Sequence, residues 1–128
     1  MAKRQSIDLD YMAHGAPIPM GSKIGNVVYS SAIGGYSESL GKTPEDAEGQ
    51  AKAIFENIRN FMKAAGGTVD DIIKVQVLFK EGTSLESINK EWLAMFPDEH
   101  SRPARHAENP NRLPQGFFAL EVVAVIGG

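Results

Sequence analysis

Apolar and polar residues alternate with period two where Ile73, Val75, Val77 and Phe79 stand against Lys74, Gln76, Leu78 and Lys80, which predicts a half-buried strand. Upstream, Ala47, Ala51, Ile54, Ile58, Phe61, Met62 and Ala65 recur at spacings of three and four and form the apolar stripe of a long amphipathic helix. Thr43 is expected to cap it, with Pro44 at the first helical position and Glu45 and Asp46 in the first turn, where the positive helix end favours acids. Gly66 supplies the stop. A second helix follows Ser84, with Leu85, Ile88, Trp92, Met95 and Phe96 as its stripe, Asn89 beside that stripe on the surface, and Pro97 at its end.

The remaining segments read as extended. Residues 3 to 9 suit a short edge strand, and Ala16-Pro17-Ile18-Pro19-Met20-Gly21 carries two prolines that exclude a helix. Lys23 to Ser31 reads as a hairpin with Gly25-Asn26 at its turn. Residues 103 to 108 are extended, Asn109-Pro110-Asn111 turns, and Phe117 to Ile126 is a buried strand. The order β-β-α-β-α-β-β predicts an α+β fold, one domain over residues 1–128, built as a mixed sheet with both helices on one face. The last strand, however, is apolar on both sides: Phe118, Leu120 and Val122 on one, Ala119, Val123 and Val125 on the other. Two helices cover only one face, so the second is expected to be covered by another copy of the chain in a closed oligomer.

Charge and composition remove several function classes. The formal net charge is -3 and the pI is about 5.6, which argues against a basic footprint for nucleic acid. The absence of cysteine rules out a disulfide, a zinc-thiolate site and a Cys nucleophile. No run of about eighteen apolar residues and no apolar leader-like segment occur, so no membrane partner is expected and a cytoplasmic location is. Gly41-Lys42-Thr43 invites a phosphate-loop reading, but the first glycine of that motif would fall at Tyr36, so the spacing fails.

The candidate chemistry centres on Arg102-Pro103-Ala104-Arg105-His106 and on Glu121, the single charge in the last strand. Arg105 offers a planar, two-pronged donor to a carboxylate; its bland alternative is a structural salt bridge to Glu121. Glu121 between Leu120 and Val122 is costly to bury unless it is paired or protonated, and a raised pKa would suit proton transfer or the positioning of a water. His106 and Glu108 form the H-x-E half of a zinc deaminase signature, but the P-C-x-x-C half is missing. His14, His100 and His106 have no spacing typical of metal ligands, so no metal is expected. Ser31, at a strand end, would bond a substrate or a backbone group, and Trp92 at helical spacing reads as core.

Taken together, Ile24 to Ser31, Glu56-Asn57-Ile58 through Ala64-Ala65-Gly66-Gly67, Asp71 to Val77, Asn89, and Arg102-Pro103-Ala104-Arg105 to Leu113-Pro114 resemble the RidA family, also called YjgF/UK114, in order along nearly the whole chain. The resemblance implies a chorismate-mutase-like fold and a homotrimer whose sheets form a central β-barrel with three clefts between subunits. It also implies cofactor-free hydrolysis of small carboxylate-bearing imines and enamines to keto acids and ammonia. Arg105 matches the arginine that holds the substrate carboxylate and Glu121 the glutamate that positions water; in such a mechanism His106 is expected to donate a proton. Ser31, Asn89 and Ile18 match further cleft positions. The chain departs from the family pattern where Ala16-Pro17-Ile18-Pro19 replaces G-P-Y-S, so that Ile18 stands for a tyrosine. It departs again at His106 after the arginine and at Gln115-Gly116-Phe117-Phe118, one residue longer. Such departures resemble a divergent branch with catabolic members such as 2-aminomuconate deaminase. A trimeric, non-catalytic ligand-binding or holdase-like protein using the same cleft is the rival class.

Overall fold

A computed structural model describes residues 3–12, 15–111, 113 and 116–127. Strands β1 (Gln5–Ile7), β2 (Gly21–Ile24) and β3 (Val27–Ser30) precede helix α1 (Ala47–Ala64), and β4 (Ile72–Phe79), α2 (Glu86–Met95), β5 (Ala104–Glu108) and β6 (Phe118–Val125) complete the chain. They form one six-stranded sheet in the order β1-β2-β3-β6-β4-β5. All neighbours are antiparallel except β4 and β5, which α2 joins as a parallel crossover. This is the expected mixed sheet with two helices on one face. The predicted short edge strand exists as β1.

Sheet and helices meet in one apolar core. Val75 and Val77 of β4, Leu120 and Val122 of β6 and Val28 of β3 lie under Ile54, Ile58, Phe61 and Met62 of α1 and Ile88 and Trp92 of α2. Gly21 permits the approach of β2 to α1, because a Cβ there would sit 2.4 Å from the Phe61 ring. Gly25, at φ +58°, makes the two-residue turn between Ile24 and Val27, the glycine-first geometry that matches strand twist.

Three local expectations are corrected. Helix α1 starts at Ala47 with Asp46 as its cap, not at Pro44 after Thr43: the Gly49 amide donates to Asp46 Oδ2 at 3.2 Å, while buried Gln50 donates to the Pro44 carbonyl at 2.8 Å. The carbonyl of Pro44 is thus taken by a side chain. Ser84 accepts from the Glu86 amide at 3.1 Å one residue ahead of the true cap position, Leu85; at its other end the helix stops at Met95 with Phe96 as its cap, before Pro97 as expected. Ile73 is not on the buried side of β4, because the register slips by one residue between Ile72 and Lys74; Ile72 takes the core place and Ile73 bulges outward.

Asn57, in the middle of α1 and 1% exposed, ties the loop after β3 to the helix. It donates to the carbonyls of Gly34 (3.0 Å) and Tyr36 (2.8 Å) and accepts from the Tyr11 hydroxyl (2.7 Å). Asn57→Ala strands these groups, and thermal or urea melting should show a loss of about 2–3 kcal/mol. A loss under about 0.5 kcal/mol would mean that water replaces the amide.

Candidate active site

Two consecutive residues of a strand point to opposite faces, and this decides where the predicted residues go. Arg105 lies opposite Val75, a core residue under the helices, so its side chain leaves β5 on the helix side of the sheet. His106 lies opposite Gln76 and points to the other face. On β6, Glu121 also lies opposite Gln76, between core residues Leu120 and Val122, and so shares the His106 face. Glu121, Gln76 and His106 therefore form a row across three strands, its ends about 10 Å apart at strand spacing. Glu108 stands on the same face, accepting from Gln76 Nε2 at 3.1 Å.

Arg105 and Glu121 are thus not neighbours within one chain: β4 separates their strands and their side chains leave opposite faces. Among the described residues the ion pairs are Lys90 with Glu48 and His100 with Glu99, so the structural salt bridge considered for Arg105 does not form. The guanidinium instead lies over the Trp92 ring, with Cζ 5.1 Å from its centroid. Burial pushes the Arg105 pKa below its ordinary value, with no carboxylate beside it to oppose the shift. It stays charged at neutral pH and is half-buried on the edge strand of the sheet.

Arg102 has a different task. Its Nε donates to the Phe96 carbonyl at 2.8 Å and its Nη2 to the Pro97 carbonyl at 3.3 Å, closing the C-terminal end of α2, where a cation is favoured. That contact holds the start of β5 against the helix and so sets the position of Arg105.

Ser31 Oγ donates to the Pro19 carbonyl at 2.8 Å, and the Ser31 amide to the Met20 carbonyl at 2.7 Å. The hydroxyl thus serves the backbone bond foreseen as its alternative, tying the Ile18-Pro19 segment to the end of β3. Beyond Tyr29, paired with Val123, the chain regains β6 at the Ile33–Leu120 bridge with one residue to spare. Ser30 Oγ accepts from the Val122 amide at 2.8 Å across this bulge, so Ser31 lies beside the Glu121 stretch of β6. Ile18 is exposed nearby, whereas Asn89 is exposed on α2, on the Trp92 and Arg105 side of the molecule. Of the six candidates, Glu121 lies near Ser31 and Ile18, His106 shares the Glu121 face of the sheet from the edge strand, Arg105 leaves that strand on the other face, and Asn89 stands on α2.

None of the six lines either of two recesses, of about 380 Å³ around Tyr11, Tyr36 and Gln50 and about 410 Å³ beside the start of α1. Among the described residues no group of three or more His, Asp or Glu side chains could hold a metal ion, and no helix is long and apolar enough to cross a membrane. His14, Pro114 and Gln115, and with them one histidine and the extra residue before β6, lie outside the described residues. Sequence reasoning missed Gln76 as the centre of the polar row and Trp92 as a partner of Arg105. The period-two pattern of β4 did place Gln76 on the uncovered face, but the register that sets it between Glu121 and His106 is a matter of strand pairing.

Comparison with known proteins bears on this arrangement. The family model described as Endoribonuclease L-PSP matches residues 16–126. The chain is 29% identical over 111 residues to the 2-iminobutanoate/2-iminopropanoate deaminase of Escherichia coli strain K12, covering 85% of this chain and 87% of the relative. The crystal structure of RidA from an Antarctic Psychrobacter superposes with a TM-score of 0.84 at 29% identity, covering 95% of this chain and 99% of the other. Escherichia coli TdcF with bound serine gives 0.81 at 28% identity, covering 96% and 100%. With that match over most of its length and with the same sheet and helices, the chain belongs to the RidA family.

Proposed function

We propose that the protein is an imine and enamine deaminase acting on small carboxylate-bearing substrates, and that its site is assembled between copies of the chain in a homotrimer. The observation that carries this reading is Arg105: a half-buried guanidinium, lying over the Trp92 ring, without an acidic partner among the described residues. The E. coli relative named as an iminobutanoate and iminopropanoate deaminase and the TdcF structure with bound serine support the substrate class. The facing of the two side chains supports an intersubunit site. Arg105 sits on an edge strand facing the helices while Glu121 faces the open side, so the two can act together when the edge of one sheet abuts the open face of the next.

In this mechanism Arg105 holds the substrate carboxylate through two charge-assisted bonds and Glu121 of a neighbouring copy orients a water toward the C=N carbon. Attack forms a C–O bond and sends the electron pair of C=N to nitrogen, which takes a proton from His106 or solvent. Glu121 takes the first proton lost by the attacking water and passes it to the amino nitrogen; collapse of the tetrahedral adduct then breaks the C–N bond, releases ammonia and, with loss of the remaining hydroxyl proton to Glu121 or solvent, leaves the keto acid. An enamine first takes a proton on carbon to become the imine. No step calls on a cofactor, a nucleic acid or a membrane. Ile18, where the family pattern has tyrosine, and His106 shape the substrate range.

The test is ammonia release from imino acids generated in place by an amino acid oxidase. Catalytic release above the spontaneous rate is expected; saturable binding of keto acids without turnover would overturn the enzyme reading in favour of a ligand-binding protein. In the same assay Glu121→Gln should lower kcat about 10²-fold with little change in KM, the signature of a group acting on the reacting water rather than on the carboxylate.

A further inference from the structure

We propose that Trp92 is a positioning residue for Arg105, fixing the guanidinium so that its edge donors face the substrate, and that its fluorescence reports occupancy of the site. The inference rests on the carboxylate-anchor reading of Arg105 and adds to it a residue that the spacing of α2 had marked only as core.

Trp92 is 8% exposed, and what contacts its ring explains why that is not the whole of its role. Phe96 packs edge-on, 5.0 Å away at 65°, and Ile88 lies on the same helical stripe in the core. The Arg105 guanidinium lies over the ring at 5.1 Å. A cation over an indole face gains most when water is excluded, and Arg105 has lost enough water for its pKa to fall. A guanidinium held over an aromatic ring by its charge keeps N–H groups that this contact does not use, and these donors match a carboxylate fork. The rotamer freedom that a long side chain would lose on binding is already spent in the fold. Arg102, clamped to the carbonyls of Phe96 and Pro97, anchors β5 to the same helix and keeps strand and ring in register.

Positioning through the ring predicts a change in substrate binding. Trp92→Phe, which keeps an aromatic face, should leave KM within about threefold, whereas Trp92→Leu, apolar but smaller and without a ring, should raise KM about five- to tenfold with kcat within about twofold. Trp92 is also the one tryptophan of the chain, so 2-oxobutanoate, a keto acid that Arg105 would hold, should shift or quench the emission saturably. Arg105→Met should abolish that change while melting as the unmodified protein does. An unchanged KM in folded Trp92→Leu, beside an Arg105→Ala enzyme that has lost turnover, overturns the role of Trp92 alone. Should Trp92→Leu fail to fold, the emission comparison decides, and a change that persists in Arg105→Met overturns the inference. Full turnover in Arg105→Ala overturns the anchor reading and this one with it.

Discussion

Arg105→Ala is expected to lose about 10²–10⁴-fold in kcat/KM on any carboxylate-bearing imine while the chain keeps its fold and its assembly. Two charge-assisted bonds to a carboxylate, each worth about 1.5–3 kcal/mol when water is excluded, sum to about 3–6 kcal/mol of transition-state binding. The fold should lose far less. Arg105 makes no ion pair among the described residues, and its contact with the Trp92 ring is worth about 1 kcal/mol at a half-exposed site. Arg105→Lys keeps the charge but loses the planar fork, and should recover part of the binding. The oxidase-coupled assay measures the loss, with a thermal melt and sedimentation run in parallel. Full turnover in Arg105→Ala would sink the carboxylate-anchor proposal.

Tyr29→Asp is expected to dissociate the assembly and, because the proposed site is shared, to remove turnover with it. Tyr29 is 61% exposed on the face opposite the helices, together with Ile24 at 54% and Ile73 at 53%, all large apolar side chains with no covering layer in the single chain. Its partners in register are Ser22 and Val123, and neither is a counter-charge. Sealing an unpaired carboxylate into an apolar interface costs several kcal/mol, once per copy. Within one chain the change is mild, since Tyr29 is already mostly in solvent, and circular dichroism should show an intact fold. Sedimentation should find trimers before the change and monomers after it. A variant that sediments as the unmodified protein would place the interface elsewhere.

Both expectations turn on which face of the sheet a residue occupies, and this is where sequence and structure divide the work. Period two in β4 and the apolar stripe of α1 are local properties of the chain, so both elements were legible with nearly correct limits. The misplaced start of α1 arose from competition between neighbours: Thr43-Pro44 is a sound helix opening by itself, but Gln50 takes the Pro44 carbonyl and Asp46 takes the cap. The bulge at Ile73 escaped for a similar reason, because an alternating pattern continues unbroken through a register slip. The apolar character of β6 on both sides announced an uncovered face, and the structure leaves that face exposed.

The amino-acid sequence by itself determined the element types, the family and the residue chemistry available, including the fact that Arg105 and His106, as neighbours in a strand, must part to opposite faces. It could not determine that β4 inserts between β5 and β6, since strand order depends on which apolar faces pack together across long separations in the chain. The tertiary structure alone set Glu121, Gln76 and His106 in one row on the open face. It also put Arg105 on the other face against Trp92 and bound Arg102 to the end of α2. Side-chain direction follows from register, and register is fixed by the core as a whole rather than by any one strand.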